Sequence, residues 1–309
     1  MTGSTQTVPR AAPSDGARAV PAGRVPRIDG IWWFVVPGLL LYACVTLYPA
    51  ASGAVQAFTK WDGFSTDMTF IGLGNFRAML ADKAVLRAVL NTLTVAFSVT
   101  VLQNAFGLLL ALGINSRIRT RKLLSATFFA PAIVMPVVVA FLWQYLYAPF
   151  GVLSSLVESF GASSPDWLGD KDVALWSIIA VFVWQFSGYS MIIFIAGLQN
   201  IPPEVREAAD IDGASAFQKM VYVEIPLLGP ALVVNVILSL IHGLKAFDLV
   251  WVMTQGGPGD ATQTLSTLIF QNAFAFNRVG YSNAIALVLA IIALPIAYVQ
   301  FRSTTAKVR

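Results

Sequence analysis

The chain has 309 residues, of which 57% are apolar and only 12% are charged, and its mean hydropathy is +0.71. Soluble domains carry roughly 25% charged residues, so this composition excludes an ordinary soluble protein and predicts an all-α integral membrane protein surrounded by lipid. The net charge of +4 does not indicate a nucleic-acid partner, because the cations are scattered at the ends of apolar runs. A single cysteine, Cys44, excludes an internal disulfide framework and a zinc site built from cysteines.

The chain begins with a polar segment. Residues 1–30 contain four prolines and almost no large apolar side chain, so they cannot bury enough surface to fold and predict a disordered tail. The next run, Ile31–Pro49, is about 19 residues long, which at about 1.5 Å per residue nearly matches a hydrocarbon core of roughly 30 Å. It is the first of six predicted transmembrane helices.

Five further apolar runs are each long enough to span a membrane as a helix. They cover residues 89–114, 123–147, 173–198, 227–247 and 281–301. The predicted transmembrane domain is therefore 31–301, followed by a C-terminal tail, 302–309. Amide side chains within the runs are costly against lipid and are expected to face the bundle interior; they are Asn91, Gln103, Asn104, Gln144, Gln185 and Asn235.

Lysine and arginine predict the orientation. A cytoplasmic N-terminus places 13 of the 20 cations on the inside, among them the cluster from Arg117 to Lys122. The loop 148–172 carries only Lys171 among several acids. Both termini are therefore predicted to be cytoplasmic, and the segments 50–88 and 248–280 to be external.

The loop 200–226 between the fourth and fifth runs carries the strongest functional signal. Pro202 and Pro203 suit the start of a helix, Glu204 and Glu207 favour its positive end, and Gly213 allows the chain to turn. The loop resembles the Glu-Ala-Ala loop of bacterial ABC importer permeases, with identities at Glu207, Ala208, Ala209, Gly213 and Pro226 and aliphatic replacements at Val223 and Ile225. The alternative is an ordinary amphipathic connector, because Glu and Ala favour helix in any context.

The resemblance implies a type I ABC importer permease fold with a cytoplasmic coupling helix in a bacterial cell membrane. It implies ATPase coupling through Glu207, Ala208, Ala209, Asp212 and Gly213. It also implies four kinds of partner: membrane lipid, a second homologous permease, two copies of an ABC ATPase, and an extracytoplasmic sugar-binding protein. The chain has no Gly-rich loop ending in Gly-Lys-Ser/Thr, so ATP and Mg²⁺ are expected on the ATPase and no cofactor or metal on this chain.

Three further stretches resemble the first permease of the carbohydrate-uptake importers, the group that contains the maltose and glycerol-phosphate systems. They are residues 59–62 with 70–76, Asn91-Thr92, and 254–258 with Thr264-Leu265. Together they favour a sugar, with an amino-acid or phosphate importer as the nearest alternative. A secondary transporter predicts ionisable residues at mid-membrane, and an enzyme predicts a catalytic cluster; the sequence offers neither, so no catalytic residue is predicted.

Sugars bind to aromatic faces and hydrogen-bonding side chains, and two runs offer both. Tyr189 falls where the maltose permease has a sugar-contacting tyrosine, and Gln185 lies one turn before it on the same face. The predicted substrate pathway consists of Trp184, Gln185, Tyr189, Asn235, Ser239 and His242. Packing or an aromatic interface belt is the alternative for Trp184 and Tyr189. Lys245 and Asp248 are predicted to pair in a structural or gating role.

Overall fold

The computed structural model describes residues 31–115 and 120–305. The predicted tail 1–30 lies outside the described residues, as do Arg117, Arg119 and residues 306–309. The chain divides into two compact units, residues 1–49 and 50–309.

The first apolar run is helical and longer than predicted. Helix α1 (Ile31–Tyr42) continues through a π-helical turn (Ala43–Leu47) into α2 (Tyr48–Gln56). The predicted end at Pro49 is therefore wrong by seven residues. The wide turn precedes Pro49, which has no amide hydrogen for a regular helical bond, so the helix continues past it.

The segment after α2 is structured. Strands β1 (Thr59–Lys60) and β2 (Thr69–Phe70) form an antiparallel pair, and α3 (Gly74–Ala81) follows. Asn75 fastens α3 to the preceding chain, because its Nδ2 donates to the carbonyl oxygens of Ala57 and Thr59 at 2.8 and 2.9 Å. The long helix α4 (Lys83–Asn115) contains the second predicted run and begins six residues before it.

The third run is not one straight helix, which corrects the predicted span 123–147. It consists of α5 (Arg121–Ile133) and α6 (Pro136–Leu146), bent by 98° at the break. Met135 precedes a proline, which disfavours helical backbone at this position. The side chain of Gln185 donates from Nε2 to the released carbonyl oxygen of Val134 at 3.0 Å, so the break keeps a hydrogen-bond partner.

The remaining elements follow the predicted order. They are α7 (Val152–Ser159), α8 (Ala174–Gln199), α9 (Pro203–Ile211), α10 (Ala216–Lys219), α11 (Ile225–Leu227), α12 (Gly229–Leu244), α13 (Asp248–Thr254), α14 (Leu265–Phe270) and α15 (Val279–Thr305). Helix α8 is central: it packs against α4 and α5, and α12 packs against α4. The last helix continues four residues beyond the predicted end at 301.

Four segments of the described chain are long and apolar enough to cross a membrane: Val35–Gln56, Lys83–Asn115, Ala174–Gln199 and Gly229–Thr254. The bent pair of α5 and α6 makes a fifth if it is one span. Helix α15 is also apolar over Val279–Pro295. Each predicted run therefore corresponds to one helix or to a bent pair of helices.

Buried amides join the three central helices. Gln103 and Asn104 on α4 donate to the hydroxyl oxygens of Ser190 on α8 and Ser239 on α12, at 2.8 and 2.9 Å. Asn235 on α12 donates from Nδ2 to the carbonyl oxygen of Ser190 at 3.1 Å. The prediction that amides within the runs face the interior is confirmed for these three residues, and also for Asn91 and Gln185.

Candidate functional site

The loop 200–226 folds into two short helices at one end of the bundle. Pro203 occupies the first turn of α9, where its missing amide hydrogen is not needed, and Glu204 lies near the positive end. The helix stops at Asp212, and Gly213 turns the chain with a φ of +73°, a conformation that other residues adopt at a cost. The predicted helix end near Gly213 is confirmed.

The second helix of the loop has its own start signal. Ser215 and Gln218 form a reciprocal capping box: the Gln218 amide donates to Ser215 Oγ at 3.3 Å, and the Ser215 amide donates to Gln218 Oε1 at 2.9 Å. The helix α10 then continues through a π-helical turn, Met220–Glu224, into α11. The loop therefore returns to α12 as structured chain.

Helix α9 presents one face to the surroundings. Glu207, Ala208 and Ile211 are exposed, with Ile211 exposed by 86%, whereas Ala209 is buried against the bundle. Asp212 extends the exposed face at the end of the helix. The exposed face combines small, acidic and apolar residues, which is the chemistry of a protein-binding surface.

Two ion pairs join described residues of the chain, and both lie in this loop. Arg206 Nε is 3.1 Å from Glu224 Oε1, and its Nη2 donates to the carbonyl oxygen of Leu198 at 2.8 Å. Lys219 Nζ donates to Asp210 Oδ1 at 2.5 Å. The contacts of Arg206 connect α9 to the π-helical turn before α11 and to the end of α8, and the second pair connects α10 to α9.

A cavity of about 240 Å³ lies between the middle of α8 and the end of α12 that is farther from the loop. Its wall combines aromatic rings with ionisable side chains: Phe182, Phe186, His242, Lys245, Phe247 and Asp248. The rings of Phe186 and His242 are in contact, with centroids 5.5 Å apart. The predicted pairing of Lys245 with Asp248 is wrong, because the helix is interrupted between them and both side chains line the cavity.

The family model of the binding-protein-dependent transport system inner membrane component matches residues 103–305, more than half of the chain. The chain belongs to this family. The family comprises transport permeases of the inner membrane rather than enzymes.

Two relatives and one solved structure agree with this family assignment of the permease. It is 33% identical to the multiple sugar-binding transport system permease protein MsmF of Streptococcus mutans, over 88% of this chain and 93% of that protein. It is 32% identical to the trehalose/maltose transport system permease protein MalF of Thermococcus litoralis, over 79% and 85% of the two chains. The crystal structure of a bacterial ABC transporter that imports the acidic polysaccharide alginate has the same fold, with a TM-score of 0.79 at 22% identity over 90% and 96% of the two chains.

The permease does not bring all six predicted pathway residues to one surface. His242 lines the cavity, and Trp184 and Tyr189 are exposed by 43% and 37%. Asn235 and Ser239 are buried between α4, α8 and α12. Their assignment to the substrate pathway stays a prediction, as does that of Gln185, which holds the break before α6.

Sequence reasoning missed three aromatic residues of the cavity, Phe182, Phe186 and Phe247. The ring of Phe247 continues into a contact series through Trp251, Phe270 and Phe274, with neighbouring centroids 4.7 to 5.9 Å apart. Aromatic residues are so common in membrane helices that no local pattern distinguishes these. Only the fold brings them together.

The motifs that resemble carbohydrate permeases meet in the fold. Asn91 Nδ2 donates to the carbonyl oxygens of Ala261 and Gln263 at 3.0 and 2.9 Å, and Thr92 Oγ1 accepts from the Leu265 amide at 2.9 Å. The two adjacent residues on α4 therefore hold the chain between α13 and α14, which includes residues 254–258. These motifs position a loop in the permease.

A second polar depression lies beside the β1–β2 pair. This cleft has a volume of about 870 Å³ and lies between the pair and the start of α15. The turn that follows β1 lines this cleft and is fixed by hydrogen bonds. Asp62 Oδ1 accepts from the backbone amide of Phe64 and from the backbone amide and hydroxyl of Ser65. These bonds, led by that from the Ser65 amide, lower the pKa of Asp62 to about 2. The carboxylate is therefore ionised at any physiological pH.

Proposed function

We propose that this permease is the membrane-spanning subunit of an ATP-driven importer that carries a sugar into a bacterial cell. The proposed sugar is a di- or oligosaccharide. The observation that carries the proposal is its 33% identity, over 88% of the chain, to a permease named for multiple-sugar transport. The second relative is named for trehalose and maltose transport. The three motif stretches, two of which Asn91 and Thr92 bring together, support the same substrate class.

The proposed topology has six spans. The bent pair of α5 and α6 serves as the third span, and α15 serves as the sixth. Both termini and the loop 200–226 face the cytoplasm, because this orientation puts most lysines and arginines inside. Residues 1–30 and the end of α15 are cytoplasmic tails in this arrangement.

The proposed mechanism is alternating access. Two copies of an ATPase bind ATP and Mg²⁺ and close beneath the membrane. Their movement reaches the bundle through the exposed face of α9, where Glu207 can contact a basic partner residue and Ala208 allows close approach. Ala209, Asp212 and Gly213 keep that face in shape. ATP binding opens the cavity outward, and hydrolysis returns it inward.

The small volume of the cavity beside His242 is an argument for a second permease subunit. At about 240 Å³ it is smaller than the roughly 300–1,000 Å³ of a ligand pocket, so one chain supplies only part of the site. The aromatic rings offer flat apolar faces, and His242, Lys245 and Asp248 offer hydrogen bonds to hydroxyl groups. Tyr189 lies near Phe186 on the same face of α8 and extends this wall, whereas Trp184 lies on the opposite face, where its ring contacts Trp143 of α6. Gln185, Asn235 and Ser239 hold the helices that form the wall.

The external binding protein is proposed to meet the permease at the segments 50–88 and 248–280. The cleft beside Asp62 gives that face a rigid concave surface with charged and aromatic side chains. The solved alginate transporter with its substrate-bound periplasmic protein makes such a complex a natural model for this one.

Affinity purification tests the proposal. The tagged permease is isolated from its host in mild detergent beside a Glu207→Arg, Gly213→Pro variant, and co-purifying proteins are identified by mass spectrometry. Glu158→Arg on α7 is the matched control, because Glu158 is also exposed on a short helix but lies outside the loop. Uptake of labelled mono-, di- and oligosaccharides, amino acids and phosphate is then compared between the host and a deletion strain.

The expected result is that an ATPase and a second permease accompany the wild type and the control, whereas the loop variant loses the ATPase. One saccharide class should lose uptake in the deletion strain. A wild-type chain that purifies without an ATPase in several detergents contradicts the importer, and uptake of only amino acids or phosphate contradicts the sugar.

A further inference from the structure

The guanidinium of Arg206 joins its own helix, α9, to two other parts of the fold. Arg206 belongs to α9, its Nη2 donates to the carbonyl oxygen of Leu198 at the end of α8, and its Nε lies 3.1 Å from Glu224, just before α11 and α12. A cation at the C-terminal end of α8 is also favoured by the helix dipole. One side chain therefore fastens α9 to the end of α8 and to the π-helical turn that leads through α11 into α12.

This contact is sheltered from solvent. The side chains of Arg206 and Glu224 are exposed by only 30% and 15%, so the pair is screened less than a surface ion pair. The other ion pair of the loop joins only the two short helices, because Lys219 lies on α10 and Asp210 lies on α9. It braces the loop internally.

We propose that Arg206 is a positioning residue that transmits movement of α9 to α8 and α12. The inference rests on the proposed function, in which an ATPase moves α9. Without the Arg206 link, the turn at Asn200–Ile201 and Pro202 are the remaining connection to α8, so α9 can follow the ATPase while α8 stays behind. Lys219 still joins α9 to the chain that leads into α12. Arg206 lies beside the five predicted coupling residues and is not one of them.

Two spin labels separate movement of the loop from movement of the bundle. In a Cys44→Ser background, one label is placed at Ile211→Cys on the exposed face of α9, and spectra are taken only after the labelled chain has been shown to co-purify with its ATPase. The other is placed at Trp176→Cys, an exposed position at the far end of α8, roughly 33 Å from Leu198 at about 1.5 Å per residue. Spectra of the purified complex with its ATPase are recorded without nucleotide and with a non-hydrolysable ATP analogue and Mg²⁺.

In the unsubstituted loop, nucleotide should change the spectra of both labels. Arg206→Gln should keep the change at position 211 and lose it at position 176. Arg206→Lys keeps a cation beside Glu224, but its single ammonium lacks the fork that reaches two acceptors, so the change at position 176 should fall at least twofold. This variant decides the question if Arg206→Gln does not fold. Lys219→Gln is the matched control and should keep both changes.

A full change at position 176 in the Arg206 variants overturns the inference. An equal loss in Lys219→Gln also overturns it, because any loosening of the loop would then suffice. Loss of the ATPase from the Arg206 variants would make the residue part of the docking surface instead. If nucleotide changes neither label in the unsubstituted loop, the proposed ATP-driven function fails, and the inference with it.

Discussion

At the scale of single residues, amide side chains determine how the apolar helices meet. Leucine and valine can pack in many registers, whereas Gln103, Asn104 and Asn235 each require one particular acceptor on a neighbouring helix. An amide left without a partner in an apolar interior is costly. These few residues therefore select one arrangement of α4, α8 and α12.

Asn91→Leu should loosen the loop between α13 and α14. The substitution keeps a side chain of similar volume but removes the donor to the carbonyl oxygens of Ala261 and Gln263, at a cost of roughly 1–3 kcal/mol. Limited proteolysis in detergent should cleave this loop faster than in the wild type. Thr92→Ser is the control, because serine keeps the oxygen that accepts from Leu265. Equal cleavage of wild type and Asn91→Leu would show that the loop is held by other contacts.

Gly188→Ala should destabilise the bundle strongly. A Cβ at this position of α8 would collide with the backbone carbonyl of Phe128 on α5, and helix backbones cannot yield as a side-chain end can. We expect a fall in detergent melting temperature of several degrees. Gly113→Ala on α4 meets nothing within 4 Å and should be neutral or slightly stabilising. A melting temperature unchanged by Gly188→Ala would mean that α5 can shift away.

At the scale of elements, the sequence predicts helices well and their interruptions poorly. The run 89–114 lies within α4, and the run 173–198 matches α8 to within one residue at each end, because a long apolar run in a membrane has only the helix available. The 98° bend between α5 and α6 could not be predicted, although Pro131 and Pro136 indicate a bend. Its size and direction depend on the contact of Val134 with Gln185, which is 51 residues away.

Gln185→Met should destabilise that bend. Methionine fills a similar volume but cannot donate to the released carbonyl oxygen of Val134, so a buried acceptor loses its partner at a cost of roughly 1–3 kcal/mol. The measurement is the detergent melting temperature, with the neighbouring Trp184→Phe as a control at a partly exposed position. If Gln185→Met has the same melting temperature as the control, water or a backbone shift supplies the hydrogen bond to the carbonyl oxygen of Val134. The Gln185 amide is then free for a role in the substrate pathway.

The candidate site also has one part that the sequence predicts and one part that it does not. The loop 200–226 is formed by adjacent residues, so its proline start and its glycine turn can be predicted from the local sequence. The cavity is assembled from α8, α12 and the chain before α13, so His242 was predicted but Phe186 and Phe247 were not. Periodicity along one helix places residues on a face, yet it does not say which faces meet.

At the scale of the whole molecule, α8 and α12 connect two separate surfaces. The loop 200–226 lies at one end of these helices, and the cavity beside His242 lies at the middle of α8 and the other end of α12. No described residue belongs to both surfaces. If the loop binds an ATPase and the cavity binds the substrate, as proposed, the two activities should respond to different substitutions.

Substitution of Phe247 by alanine tests this separation. The loss of its ring from the cavity wall should raise the KM for uptake of the best saccharide in the screen by about tenfold, the effect of roughly 1.4 kcal/mol. Co-purification of the ATPase should not change, because Phe247 lies at the opposite end of α12 from the loop. Glu207→Arg should give the reverse pattern, with the ATPase lost. If Phe247→Ala also releases the ATPase, the two ends are coupled through the stability of the whole bundle, and a substitution at either end would then report on both.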